Sequence, residues 1–339
     1  MPIALDATYS LGANLSGIGV YSREILFGLA QSHPDEEFLY CYRSHRFLRS
    51  YRERLPKNAF RRLLIGPPPG DLFHALNQRV DTRNRKTVCT FHDLFVLTGD
   101  YSSAGFRARF SDQARRAAEQ SDLIVAVSRF TADQIEDLLH VPAARIRVIP
   151  HGVRIPASSS ATRENLILFV GAIQRRKNAA RLVKAFERMP PNWRLALAGA
   201  PDGYGAAEEL RAVEESPRRA AIDVLGYVPN HTLERLYQRA RIFAFPSLDE
   251  GFGMPVLEAM AHGVPTLTST RSALPEVAGD AALLVDPLET DAIADGLVRL
   301  AEDDSLRAGL TRRGLDRARA FPWESAVEKT WNVYREILR

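Results

Sequence analysis

Short apolar runs rich in β-prone residues alternate with stretches of helical spacing along almost the whole chain, and the alternation starts twice. Few folds accept that grammar, because strand–helix repetition of this kind builds parallel sheets with helices on both faces. In the first half IALDAT (3–8) reads as a strand, then comes the loop SLGANLSGIG, then VYSREILFGLAQ (20–31) with helical spacing. EFLYCY, RRLLI, DLFHAL, VCTFHD and LIVAVS continue as strands, and RVIPHG (147–152) closes the half. Residues 151–165, HGVRIPASSSATREN, are poor in large apolar side chains and rich in serine, which marks them as a linker. The pattern then restarts with LILFVGA (166–172) and the helix KNAARLVKAFERM, whose Leu182, Val183 and Phe186 share one face. RLALAGA, AIDVLGYV, IFAFPS, PTLTST and ALLVD follow as strands, and three helices in a row end the chain. No short period repeats, which excludes a solenoid. The expectation is an α/β protein of two Rossmann-like, doubly wound domains facing a central cleft. Its boundaries are an N-terminal domain over 1–155, a C-terminal domain over 156–322, and a helix over 323–339 packing back on the first. Ligands of such sheets bind just outside the C-terminal strand ends.

Composition narrows the function. At 339 residues the chain suits two domains rather than one. A formal net charge of +4 is too small to imply nucleic acid, but it suits handling of phosphates or approach to an acidic membrane. Cys41 and Cys89 each lie inside a strand-like run and read as small buried hydrophobes of a reducing compartment. The opening MPIALDATYS lacks the plan of a signal peptide, and no run approaches a membrane span, so the expected address is cytoplasmic. The sequence has no Asp-x-Asp pair, no His/Cys/Asp cluster of metal-ligand spacing, no Walker loop and no Gly-x-Ser-x-Gly elbow. The first strand is not followed by Gly-x-Gly-x-x-Gly, which argues against a nicotinamide dehydrogenase.

The unusual residues fall after strands. IFAFPS runs into LDEGFGMPVLEAMAHGVP (248–265), where Gly251 and Gly253 let the backbone approach a ligand and Pro255 suits the first turn of a helix ended by Gly263. A helix N-terminus beside glycine amides makes a site for oxygen-rich or anionic groups. Glu250 precedes the turn and Glu258 stands eight residues on, so both carboxylates can serve one ligand. This segment resembles the Glu-x7-Glu signature of glycosyltransferase family 4, a retaining family of GT-B fold. SGIGVYSREI (16–25), VCTFHDL (88–94), AVSRFT (126–131), VIPHGV (148–153), FVGAIQRRKN (169–178), GYVPNHTLERLY (226–237) and LPEVAGDAALLVDP (274–287) resemble further segments of that family, in order, over essentially the whole chain.

The resemblance implies a transferase that moves a hexose from a nucleotide diphosphate sugar to a glycan or lipid-linked acceptor, with retention and without a metal or other cofactor. It implies that Glu258 binds the ribose hydroxyls and Glu250 the donated sugar. The backbone of Gly251, Phe252, Gly253 and Met254 would hold sugar and phosphates, Val228 the base, and Gly17 and Gly19 the diphosphate from the N-terminal half. His92, at a strand end, would face the donor sugar. Charge building on the leaving diphosphate calls for fixed cations, and Arg176 and Lys177 supply them. Many members carry Arg directly after the glycine of that strand; here Gly171 is followed by Ala172, so Arg175 and Arg176 are both candidates to replace it. The basic loop resembles that of mannosyltransferases, which favours GDP-mannose, with UDP-glucose and dTDP-rhamnose as alternative donors. An epimerase, and a nucleotide-sugar-binding regulator, are alternatives on the same fold.

One basic stretch falls outside these motifs. Residues 43–62, RSHRFLRSYRERLPKNAFRR, hold one acid, Glu53, and place Phe47, Leu48, Tyr51 and Leu55 at roughly helical spacing. A basic amphipathic helix there would touch an anionic membrane surface at the inner face.

Overall fold

The computed structural model describes residues 2–12, 14–68, 70–81, 83–156 and 162–339. Within the expected linker, 157–161 lie outside the described residues. The chain divides into two compact units. One comprises Met1–Thr98, Ala104–Gly152 and Phe321–Arg339, the other Gly99–Ser103 and Val153–Ala320. The division thus falls at 152/153 and 320/321 rather than at the boundaries read from composition.

The first unit holds seven strands: β1 (Ile3–Asp6), β2 (Phe38–Tyr42), β3 (Ala59–Leu63), β4 (Leu72–Ala75), β5 (Lys86–Phe91), β6 (Leu123–Ala126) and β7 (Ile146–Val148). They form one sheet in the order β3-β2-β1-β4-β5-β6-β7, and every pairing is parallel. Six more strands build the sheet of the second unit: β8 (Glu164–Val170), β9 (Arg194–Ala198), β10 (Ile222–Gly226), β11 (Ala240–Phe245), β12 (Thr266–Ser269) and β13 (Ala282–Val285). Their order is β10-β9-β8-β11-β12-β13, again all parallel. Helices cover both faces, so the inner strands are buried from end to end, and this is why they read as unbroken apolar runs. In each sheet the chain reverses its direction of travel once, between β1 and β4 and between β8 and β11. Loops at such a switch point diverge and leave a crevice.

Two local readings are corrected. Helix α1 spans Gly17–Ser32, so Gly17 and Gly19 lie in its first turn and not in the preceding loop. Ser16 caps it by accepting the Gly19 amide at 3.3 Å, which satisfies a donor that the helix itself cannot pair. Gly19 is there for packing: a Cβ on it would sit 2.9 Å from the Tyr9 carbonyl. The basic stretch 43–62 is not one helix. Helix α2 covers only Ser44–Ser50, a turn follows, and β3 begins at Ala59. The edge of the sheet claims those last residues, and pairing with β2 outweighs their helical spacing.

Helices α3 (Ala179–Phe186), α4 (Asn230–Arg239) and α5 (Met254–Ala261) surround the switch point of the second unit, and α6 (Trp323–Leu338) belongs to the first. α6 packs on α1 so closely that a Cβ on Gly28 would lie 2.4 Å from Val327 Cγ2. Trp331 stacks on His33 with ring centroids 3.9 Å apart. Tyr334 bonds His74 Nδ1 at 2.6 Å, His74 Nε2 bonds Thr90 at 2.8 Å, and Thr90 bonds Tyr21 at 2.9 Å. Burial holds His74 neutral, its pKa pushed down to about 3, so this chain of polar groups carries no charge through the core.

Candidate active site

Because β8 and β11 are hydrogen-bonded neighbours, the loops that leave their C-terminal ends begin side by side. The β8 loop opens at Gly171 (φ +153), where the backbone nearly touches that of β9: a Cβ on Gly199 would lie 1.8 Å from the Gly171 carbonyl oxygen. It then makes a short 3-10 turn, Arg175–Lys177, and Asn178 adopts the left-handed conformation (φ 61) that starts α3. Asn178 ties this turn to the neighbouring strand ends by donating to the carbonyls of Pro246 at 2.9 Å and Pro287 at 2.7 Å.

The β11 loop brings Glu250 against that turn. Lys177 Nζ donates to Glu250 Oε1 at 2.6 Å, and Arg176 Nη1 approaches Oε2 at 2.8 Å. Ser247 donates to Oε1 at 2.6 Å, while the Glu250 amide donates to Ser272 at 3.0 Å. Arg176 also donates to the Asp249 carbonyl at 2.6 Å, and Lys177 Nζ sits 4.7 Å from the centroid of Phe245. All three charged side chains are buried. Burial pushes the Glu250 carboxyl up, but Arg176, Lys177 and the Ser247 hydroxyl outweigh it and hold the pKa at about 2. Glu250 is therefore a permanent anion clamped between two cations.

Glu258 lies about one turn into α5 in a different setting. Tyr237 of α4 donates to its Oε2 at 2.9 Å, and burial pushes this carboxyl above the usual range. The two glutamates that the sequence pairs are thus separated in chemistry, one firmly ionised and one with raised proton affinity. Gly253, at φ +101, ends the loop before α5, and its missing Cβ makes room for Leu274 Cδ2 at 2.5 Å. Gly251 and Phe252 are buried, and Met254 and Pro255 form the first turn of the helix.

Within the second unit, Arg175 and Val228 do not join the cluster. Arg175 turns to the surface, pairing with Asp100 at 2.8 Å and Glu208 at 2.7 Å, so Arg176 is the arginine that meets Glu250. Val228 is half-buried between β10 and α4. His92, Gly17 and Gly19 belong to the first unit. His92 follows β5 and is buried, with Nε2 2.9 Å from the Leu76 carbonyl and Nδ1 3.4 Å from His151 Nε2. Burial lowers its pKa to about 4, so it is a neutral imidazole. Ser247, Ser272, Asn178 and Tyr237 complete the polar surroundings, and sequence reading missed them. Ser247 stands three residues before Glu250 and Asn178 directly follows Lys177, so proximity was a usable signal for those two. Nothing local marks Tyr237 or Ser272.

The family model described as "Glycosyl transferases group 1" matches residues 154–317, and that described as "Glycosyltransferase Family 4" matches residues 22–155. The chain is 34% identical to O-antigen chain mannosyltransferase B of Escherichia coli, over 78% of this chain and 74% of that one. It is 29% identical to D-inositol 3-phosphate glycosyltransferase of Mycobacteroides abscessus, over 65% of this chain and 53% of that one. In fold it is similar to sucrose-phosphate synthase of Thermosynechococcus elongatus, with a TM-score of 0.79, 21% identity, and coverage of 100% of this chain and 99% of that one. Two parallel doubly wound sheets with this order define a GT-B glycosyltransferase. The chain belongs to glycosyltransferase family 4.

Proposed function

We propose that the chain transfers mannose from GDP-mannose to a glycan or lipid-linked acceptor, with retention of configuration and without a metal ion. The observation that carries this reading is the buried cluster of Arg176, Lys177 and Glu250 at the β8/β11 switch point. Two fixed cations offer a leaving diphosphate the compensation that a divalent ion gives elsewhere. A donor entering there exchanges one anionic partner of Arg176 and Lys177 for another. Glu250, ionised across the whole working pH range, accepts hydrogen bonds from sugar hydroxyls and opposes positive charge at the anomeric carbon. Glu258 accepts from the ribose hydroxyls, oriented by Tyr237. In the reaction an acceptor oxygen bonds to the anomeric carbon on the face from which the diphosphate departs. The bond from that carbon to the phosphate oxygen breaks, and the acceptor proton passes to the phosphate.

Mannose is favoured by the likeness to an O-antigen chain mannosyltransferase. Donor turnover and thermal shift across GDP-, UDP-, dTDP- and ADP-sugars, each with and without EDTA, test the donor and the metal together. Selective turnover of GDP-mannose that ignores EDTA is expected, and dependence on EDTA or preference for another donor overturns the respective part. Retention is read from the anomeric configuration of the product by NMR. Glu250→Ala is expected to abolish turnover while nucleotide binding persists. Equal turnover in that variant removes Glu250 from the mechanism.

The first unit carries the surface for a membrane-borne acceptor. Leu48 is 81% exposed, Tyr51 64% and Ile65 71%, alongside Arg46, Arg49 and Arg52. Apolar side chains among arginines suit the boundary between headgroups and acyl chains. Co-sedimentation with anionic liposomes at low salt, lost at high salt, is the expected result. No co-sedimentation at low salt ends the idea. No described helix is long and apolar enough to cross a membrane.

A further inference from the structure

At the opposite end of α5 from Gly253, within the second unit, lies a cavity of about 550 Å3. Its walls include Arg163, Arg241, His262, Arg307 and Arg319, and no Asp or Glu. Several arginines elsewhere in this unit face carboxylates: Arg188 meets Asp291 and Asp295, Arg194 meets Asp223, and Arg239 meets Glu164. Around the cavity Arg307 and Arg319 also meet carboxylates, Asp304 and Asp316, but Arg163 and Arg241 do not. Arg163 donates to the carbonyls of Tyr237 at 2.7 Å, Ala240 at 2.8 Å and His262 at 2.5 Å. Arg241 donates to the Asn165 side chain and to the Arg163 carbonyl at 3.1 Å. Arg307 donates to the carbonyls of Leu300 at 2.5 Å and Ala301 at 2.8 Å. Neutral oxygens orient these guanidiniums without cancelling their charge. Among the described residues no carboxylate pairs with Arg163 or Arg241. Asp304 and Asp316, the partners of Arg307 and Arg319, are 92% and 67% exposed, and water screens their charge.

The positive groups also press on one another. Burial lowers the proton affinity of Arg163 and of Arg307, and the charge of Arg241 lowers that of Arg307 further. Burial lowers the proton affinity of His262, the Glu258 carbonyl and the charge of Glu234 partly offset this, Arg163 adds a smaller lowering, and Nε2 is buried without a hydrogen-bond partner. Holding several like charges around one solvent-filled space is unfavourable unless an anion occupies it. Guanidinium forks match phosphate oxygens in geometry. Ile155, Pro156 and Leu315 add an apolar wall, and the volume lies in the range of small-molecule sites.

We propose that this cavity is a second anion site of the enzyme, taking a phosphorylated small molecule, and that its occupancy is felt at Glu258. The link is short. His262 Nδ1 is 2.8 Å from the Glu258 carbonyl, and the His262 ring stacks on Tyr237 with centroids 4.9 Å apart. Tyr237 in turn holds the Glu258 carboxyl. A phosphate drawn in by Arg163 and Arg241 thus acts on the far end of the same helix that carries Glu258. The site is independent of the donor assignment, since it shares no charged residue with the Arg176–Lys177–Glu250 cluster.

The probe is inorganic pyrophosphate, titrated calorimetrically at fixed ionic strength into the full chain. Three proteins are compared: wild type, Arg241→Gln/Arg307→Gln, and Lys177→Gln. Pyrophosphate is expected to bind Lys177→Gln through the cavity, and the double variant is expected to lose that component, about tenfold to hundredfold in affinity. Should the double variant fail to fold, Arg319→Gln, at the exposed rim, removes one charge at the cost of only the exposed pair with Asp316 and is expected to weaken the same component. Binding that survives the cavity substitutions unchanged, or that disappears entirely in Lys177→Gln, overturns the proposal. The coupling is read separately, from the change in nucleotide affinity when pyrophosphate is added to Lys177→Gln: a shift that Tyr237→Phe abolishes is expected, and no shift removes the link to Glu258.

Discussion

Glu250 is surrounded by two cations and a hydroxyl, so its charge is indispensable to them as much as theirs is to it. Glu250→Gln leaves Arg176 and Lys177 buried without a counter-charge, and a loss on the order of 3 kcal/mol in stability is expected at pH 7 from urea unfolding. The pH dependence has a definite sign. A carboxyl held at about 2, below its ordinary value near 4.5, stabilises the fold fully above that ordinary value, and the stabilisation is lost as pH falls toward 2. The gap between wild type and Glu250→Gln should therefore be constant from pH 7 to about pH 5 and narrow below. A gap that widens on acidification contradicts the clamp. Gly199 makes a different demand, for space: Gly199→Ala drives a Cβ into the Gly171 carbonyl and should cost about 3 kcal/mol or more, read as a lowered Tm with reduced expression. The clustering of residues with a local signal, an acid beside glycines and cations before a helix, was legible in the sequence. Partners supplied by remote segments were not: Tyr237 reaches Glu258 across two elements, and Asp100 takes Arg175 out of the cluster.

The strands were the most legible elements, because burial on both faces leaves a run of apolar residues with no helical period to confuse it. All thirteen strand segments named from the sequence coincide with strands of the two sheets, with ends shifted by a few residues. Edges were the least legible. β3 lies at the rim of its sheet, carries Arg61 and Arg62, and follows a seven-residue helix whose spacing imitates a longer one. α1 shows the converse case, in which a serine cap starts a helix through two glycines that propensity alone would leave in a loop. At this scale α6 is open to a direct test. Tyr334→Phe leaves His74 Nδ1 without its partner inside the core, and a loss of about 1–3 kcal/mol is expected. Deleting 321–339 should be far more severe, exposing the α1 face beside Gly28, and is checked by circular dichroism and solubility. A well-folded, soluble truncation would contradict the packing described.

Each unit has its own sheet and its own core, which predicts two calorimetric transitions rather than one. On the proposed assignment of Glu258 and Lys177, a bound nucleotide should raise the transition of the second unit, since ligands stabilise what they bind. Tyr334→Phe should lower only that of the first. A single transition that moves as a whole under both perturbations would show the units to be one cooperative system.

The placement of α6 sets an order in time. Seven strands of the first unit are complete by Val148, yet the helix that covers α1 and supplies the partner of His74 is translated only after the entire second unit. During synthesis the second sheet can finish while the first still waits with an open apolar flank. That flank is an apolar surface left open during synthesis, and α6 can close it only after the second unit has been translated.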